Sequence, residues 1–131
     1  MLRDDFIMKQ LQRALEAMAR AVGMQVRGDD EAALKQLQQG YLEALRVDRH
    51  TFEELDTGTL VSLLGPKETV RILARLMTTE ARSLERLGQV DLAARRRTRA
   101  IEFYGAVGAD PDDKETLKEL YAWLKSRRQP S

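Results

Sequence analysis

The chain has 131 residues, 43% of them apolar, with 22 basic and 21 acidic side chains, a net charge of +1 and no cysteine. That length suits one compact domain whose core needs no metal or disulfide to hold it, and the missing thiols exclude thiol catalysis, thiolate metal sites and disulfide scaffolds. Near-cancellation of charge excludes a highly charged disordered tail and an overall polycation. With no apolar run of about 18 residues and no charged leader before an apolar stretch, a cytoplasmic location is the expectation.

Three prolines and eight glycines punctuate a text rich in Ala, Leu, Glu and Arg, which is a helical composition. From Asp4, a capping residue, to Val26 the residues Met8, Leu11, Leu15, Met18 and Val22 recur at gaps of three and four, which predicts a helix and excludes a strand. It should stop at Arg27-Gly28, because glycine takes the left-handed conformation at least cost. Asp29, Asp30 and Glu31 then place negative charge at the N-terminus of a second helix, along which Ala33, Leu34, Leu37, Tyr41 and Leu45 continue the apolar face, so residues 4–47 read as a helical hairpin. Thr51 with Glu54 reads as a capping box for an insert of one or two short helices over 51–64, interrupted at Thr57-Gly58. Gly65-Pro66 opens a second hairpin over 66–107, with Gly88 between a helix that carries Val70, Leu73, Leu76, Met77 and Leu84 and one that carries Leu92, Ala93, Ala100, Ile101, Phe103 and Tyr104. Asp110-Pro111-Asp112-Asp113 is a cap, a first-turn proline and first-turn acids in order, and predicts a last helix over 111–127.

A shift of sixty positions brings Gly28 onto Gly88, Ala14 onto Ala74, Ala21 onto Ala81, Met24 onto Leu84 and Ala33 onto Ala93, with Gly40 meeting Ala100. Small residues stand where two antiparallel helices cross closely, and a glycine reverses the chain. The pattern resembles the tetratricopeptide hairpin: Ala21, Gly28, Ala33 and Gly40 fit its motif, as do Ala81, Gly88, Ala93 and Ala100. It departs from the motif at Arg20 and Glu80, where a large apolar residue belongs, at Met24 and Leu84, where an aromatic belongs, and in lacking a closing proline after both hairpins. The repeat also exceeds the usual period of about 34, which calls for the extra helix between the units. The chain is similar as well to uncharacterised small bacterial proteins built from such hairpins, which implies a fold and no activity. The expected architecture is all-α: about six helices, as antiparallel hairpins stacked in a tetratricopeptide-like right-handed array within one domain.

Few residues invite chemistry. His50 is the only histidine, beside Asp48 and Arg49, and reads as an exposed loop residue. Histidine-rich metal sites cannot be built from it. Ser62, Ser83 and Ser126 lack a nucleophile-elbow context, and no Walker A or Gly-x-Gly-x-x-Gly stretch occurs. Asp29 with Asp30, Glu53 with Glu54 and Asp112 with Asp113 sit at helix starts, where dipole complementarity accounts for them. No catalytic residue, metal or cofactor is therefore expected.

Charge is unevenly distributed. Residues 1–65 hold eight basic and eleven acidic side chains, and residues 66–131 hold fourteen and ten. Nine basic residues lie between Lys67 and Arg99; Arg75, Arg82 and Arg86, spaced seven and four, share a helix face, and Arg95, Arg96, Arg97 and Arg99 follow on the next helix. Such a face grips carboxylates or phosphates through forked guanidinium donors, or is a solvated surface knitted by pairs such as Arg71 or Arg75 with Glu68 or Glu80. The first reading of function is a non-catalytic interaction or scaffold module that binds a peptide or helix of a partner, with Arg75, Arg82, Arg86, Arg96 and Tyr104 lining the groove. The alternative is a binder of nucleic acid or another anionic ligand through residues 67–99, although aromatic residues among the charges are lacking. An enzyme built on converging carboxylates stands third. The first helix, with Phe6 and Ile7 widening its seam, is a candidate homodimer surface.

Overall fold

The structure, a computed structural model, describes residues 2–45 and 49–128. Among the described residues there are only helices and turns: α1 (Leu2–Val26), α2 (Asp30–Leu45), α3 (Arg49–Glu54), α4 (Thr57–Leu64), α5 (Lys67–Arg86), α6 (Val90–Val107), a 3-10 turn at Pro111–Asp113 and α7 (Lys114–Arg128).

Both predicted elbows are present and built alike. Gly28 and Gly88 stand at φ of 81° and 85°, in the left-handed region that glycine enters without a Cβ clash. The N–H of Gly28 donates to the Gln25 carbonyl (3.0 Å) and that of Asp29 to Met24 (2.9 Å). Sixty positions on, the N–H of Gly88 donates to Glu85 (3.0 Å) and that of Gln89 to Leu84 (2.8 Å). This pair of bonds satisfies carbonyls that a helix end would leave orphaned. Across each elbow the expected small residues are buried: Ala21 and Ala33 in one hairpin, Ala81 and Ala93 in the other.

Small residues also set which side of α1 faces inward. A Cβ placed on Gly40 of α2 would lie 3.5 Å from the Ala17 Cβ and 3.6 Å from the Ala14 carbonyl, so the two helices approach along a row of small residues. Leu11, Ala14, Ala17 and Ala21 are consequently buried, whereas Leu15 and Met18 flank the contact and Met8 and Val22 face outward. The apolar seam expected on α1 is thus split, and its inward edge runs through alanine.

The insert is two helices, with the break placed differently from the expectation. Asp56, rather than Thr57-Gly58, ends the first, because its carboxylate accepts from the Thr59 N–H (3.2 Å) and from the Thr59 hydroxyl, capping α4. Thr51 lies inside α3 and does not open it, and the backbone of His50 is helical, not loop; the side chains of both lie outside the described residues. Arg46 and Val47, the expected end of the first hairpin, lie outside them as well, as do Gln129 to Ser131 of the tail.

The centre of the molecule is α5. Thr69, Val70, Ile72, Leu73, Ala74, Leu76, Met77, Thr78, Thr79, Glu80, Ala81, Ser83 and Leu84 are buried, so nearly its whole circumference is covered. It pairs with α6 as a hairpin, packs on α2 and α1, and meets α4 and α7. Fully buried Leu37, Ile72, Leu73, Leu76, Met77, Phe103 and Leu120 join these elements, each such side chain contributing roughly 1.5–3 kcal/mol through burial. Phe52 of α3 closes the core beneath Tyr41 and Phe103, with ring centroids 6.3 and 6.2 Å away.

Candidate functional site

Arg75, Arg82 and Arg86 do form one row along α5, and each reaches a carboxylate on another element. The Nε–H of Arg75 donates to Oδ1 of Asp113 (2.6 Å), with Asp110 3.5 Å from its Nη2. Arg82 forks onto Glu119 of α7, with donor distances of 2.7–3.0 Å. Arg86 donates to Asp30 of α2 (3.2 Å). The row thus straps α5 to the start of α7, to its middle and to the first elbow.

Two uncharged side chains complete this strap. Gln25, buried at the end of α1, donates to the Thr79 carbonyl (2.8 Å) and the Ser83 hydroxyl (2.9 Å), and the Ser83 hydroxyl in turn donates a hydrogen bond to Asp30 (2.7 Å). Asp30 stands in the first turn of α2, as expected for a helix-dipole charge, and Asp29 supplies the cap, accepting from the Ala32 N–H at 3.1 Å. Asp30 is left to accept from α5.

Tyr104 joins Arg75: its hydroxyl donates to the same Asp113 oxygen at 2.7 Å. Asp113 is 0% exposed and also accepts from the Asp110 N–H, closing a capping box where the sequence indicated a cap followed by first-turn acids. Burial alone would push its carboxyl up, but the hydrogen bonds from Arg75, Asp110 and Tyr104 outweigh that and hold it below the usual carboxylate range. Burial, and then the bond to Asp113, push the Tyr104 phenol well up. A phenol held neutral and a carboxylate held charged are fixed hydrogen-bond partners at neutral pH; neither is poised to exchange a proton.

Arg96 lies elsewhere. It points between α5, α6 and α3, where it is 5% exposed, and its Nε–H donates to Glu80 (2.8 Å) while its Nη2 meets Glu53. Glu80, 1% exposed, also accepts from the Tyr41 hydroxyl (2.8 Å). Desolvation works against the Arg96 cation, but the Glu80 charge prevails and keeps it more firmly protonated than usual. Beside this network a cavity of about 300 Å³ is lined by Phe52, Glu53, Glu54, Met77, Arg95, Arg96 and Arg99.

The five residues picked from the sequence therefore do not share one groove. Arg75 and Tyr104 converge on Asp113, Arg82 and Arg86 continue that row, and Arg96 belongs to a separate buried network. Of the knitted pairs, Arg71 with Glu68 is present at 3.8 Å, but Glu80 goes to Arg96 and Arg75 to Asp113. Arg71 also donates to the Val107 and Gly108 carbonyls, capping the end of α6, and Arg99 donates to Thr57 and the Leu55 carbonyl. Sequence reasoning missed Asp113, Glu119 and Gln25 as partners. It noted Glu80 as a departure from an apolar motif position and as a pair for Arg71 or Arg75, and the departure was the available signal for a buried role. Among the described residues, no three acidic or histidine side chains gather as a metal would need, and no helix is long and apolar enough to cross a membrane.

Compared with protein-family models, curated proteins and solved structures, the chain matches none.

Proposed function

We propose that this chain is a non-catalytic scaffold, a tetratricopeptide-like right-handed array that works in the cytoplasm by binding a peptide or helix of a partner protein. The order of helix contacts supports the array: α1 pairs with α2, α2 and α1 both pack on α5, α5 pairs with α6, and α7 lies on α5 and α6. Each hairpin stacks on the next, as in a solenoid. The paired elbows at Gly28 and Gly88 support a common repeat unit.

The observation that carries the binding reading is how the arginines are used. Arg71, Arg75, Arg82, Arg86, Arg96, Arg97 and Arg99 each meet a carboxylate or carbonyl of another helix or turn. Charge spent on strapping helices together makes a stiff platform, and a stiff platform binds with little ordering cost. It also leaves few free guanidinium groups for a polyanion, which weighs against the nucleic-acid alternative.

Affinity capture on the full chain from native lysate, with light scattering for mass, tests this. A discrete co-purifying protein is expected. Material that is retained only through nucleic acid and released by nuclease would overturn the reading. A dimeric mass lost in Met8→Asp would assign the outward side of α1 to a second copy.

A further inference from the structure

We propose that the cleft between α6 and α7 is a docking groove for an amphipathic helix of a partner protein whose one end is acidic. This rests on the scaffold reading above and names the site and the partner's chemistry. Two depressions adjoin α6, one lined by its residues from Ile101 onward and the other by its residues up to Glu102. One, of about 260 Å³, is lined mainly by apolar groups: Ile101, Gly105 and Ala109 on one side, Leu117, Leu120 and Tyr121 of α7 on the other. Tyr121 is 59% exposed at its rim. Leu117, Tyr121 and Leu124 follow at four and three along α7; Leu117 and Leu124 are half-buried, with Leu117 packed against the core, and Tyr121 is the exposed member of this apolar stripe. A large aromatic at the rim of an apolar cleft is the usual kind of anchor at a helix-binding surface.

The second depression, about 410 Å³, is lined by α6 residues between Asp91 and Glu102 and has a different character. Arg95, Arg99 and Arg127 line it with Asp91 and Glu102. Glu102 already accepts from Thr57, and Arg99 is spent on Thr57 and the Leu55 carbonyl. Arg95 makes no hydrogen bond or ion pair among the described residues, and Arg127 only stacks on Trp123, 5.1 Å from its ring centroid. Among the described residues, two exposed cations without carboxylate partners thus stand, with Arg99, against two exposed acids, Asp91 and Glu102, which leaves the depression net positive.

From Gly105 to Arg95 the floor runs about 15 Å, the length of a three-turn helix. The fitting occupant carries apolar side chains at one end of its face and carboxylates at the other. A second copy of this chain does not supply it. Its own outward residues, Met8 and Val22 on α1, are flanked by Lys9, Arg20 and Arg27 against Asp5 and Glu16, which would set cations against Arg95 and Arg127.

The test uses two synthetic helical probe peptides that share a leucine face and differ only at one end, which bears glutamates in one and lysines in the other. Trp123, the only tryptophan, stands between Arg97 and Arg127 and reports binding by its fluorescence. The glutamate peptide is expected to bind at least about tenfold more tightly than the lysine peptide, as a charge pair at an interface rim allows. Arg95→Glu should reverse that order, and Tyr121→Asp should weaken both; each side chain is exposed, and circular dichroism verifies the fold. Equal affinity for the two peptides, no binding of either, or binding unchanged by both substitutions overturns the groove. Binding lost instead in Met8→Asp would overturn the groove and leave the scaffold reading intact, whereas capture of nucleic acid alone would overturn the scaffold reading.

Discussion

Arg75 and Asp113, thirty-eight positions apart, meet at 2.6 Å and tie the central helix to the turn that starts the last one. Asp113 is buried and Arg75 nearly so, so removing one partner strands the other's charge. Asp113→Asn should destabilise the fold by about 3 kcal/mol at neutral pH, measured by urea unfolding.

The same pair sets an acid dependence. Because the native Asp113 carboxyl is held below its usual range, the unfolded chain takes up this proton first as pH falls. The contribution is therefore complete above the unfolded value of about 3.9 and lost as pH drops through the lowered native value. The stability gap between wild type and Asp113→Asn should stay constant from neutral pH to about 5 and shrink below about 4. A gap that widens on acidification would refute this assignment.

The buried pair of Glu80 and Arg96 offers a contrast between breaking and replacing. Glu80→Leu leaves the Arg96 cation in the core with Glu53 as its remaining ion-pair partner among the described residues and should cost about 3–5 kcal/mol. Glu80→Leu with Arg96→Leu removes both charges and should recover at least half of that loss. A double variant no more stable than the single would show that the network supports the fold in some way other than pairing.

Two residues hold α7 by different means, and magnitude separates them. Leu120 is fully buried, so Leu120→Ala should cost about 2–5 kcal/mol and speed amide exchange along α7. The fork of Arg82 onto Glu119 is about one-third exposed on both sides, so Arg82→Ala should cost no more than about 1 kcal/mol. The reverse order in thermal melts would sink this account of how the last helix is held.

At the elbows the cost is conformational. A Cβ on Gly28 or Gly88 meets nothing within 4 Å, so packing is not at issue. Each Gly→Ala change should cost about 1 kcal/mol for forcing a side chain into positive φ. The two costs should add in the double variant, since the residues stand in different hairpins.

Helices, turns and hairpins were legible in the sequence because they are written locally. Leu and Ala at helical spacing, glycine where a helix must reverse, and Asp-Pro-Asp-Asp at a helix start act within a few residues of one another. The matched elbows at Gly28 and Gly88 were legible for that reason. Local pattern was weaker where two signals competed: Asp56 outcompeted Thr57-Gly58 for the break in the insert, and the alanine row of α1 decided the inward side over the larger Met8 and Val22.

Only the tertiary structure decided what the arginines do. Spacing placed Arg75, Arg82 and Arg86 on one face, but whether that face met solvent, a ligand or another helix depended on carboxylates far along the chain, at Asp30, Asp113 and Glu119. Arg96 was separated from them because α3 brings Glu53, and α5 brings Glu80, to its side of α6. An ion pair forms where packing sets two charges within a few ångströms in a medium of low dielectric, and spacing along a helix determines only which charges share its surface.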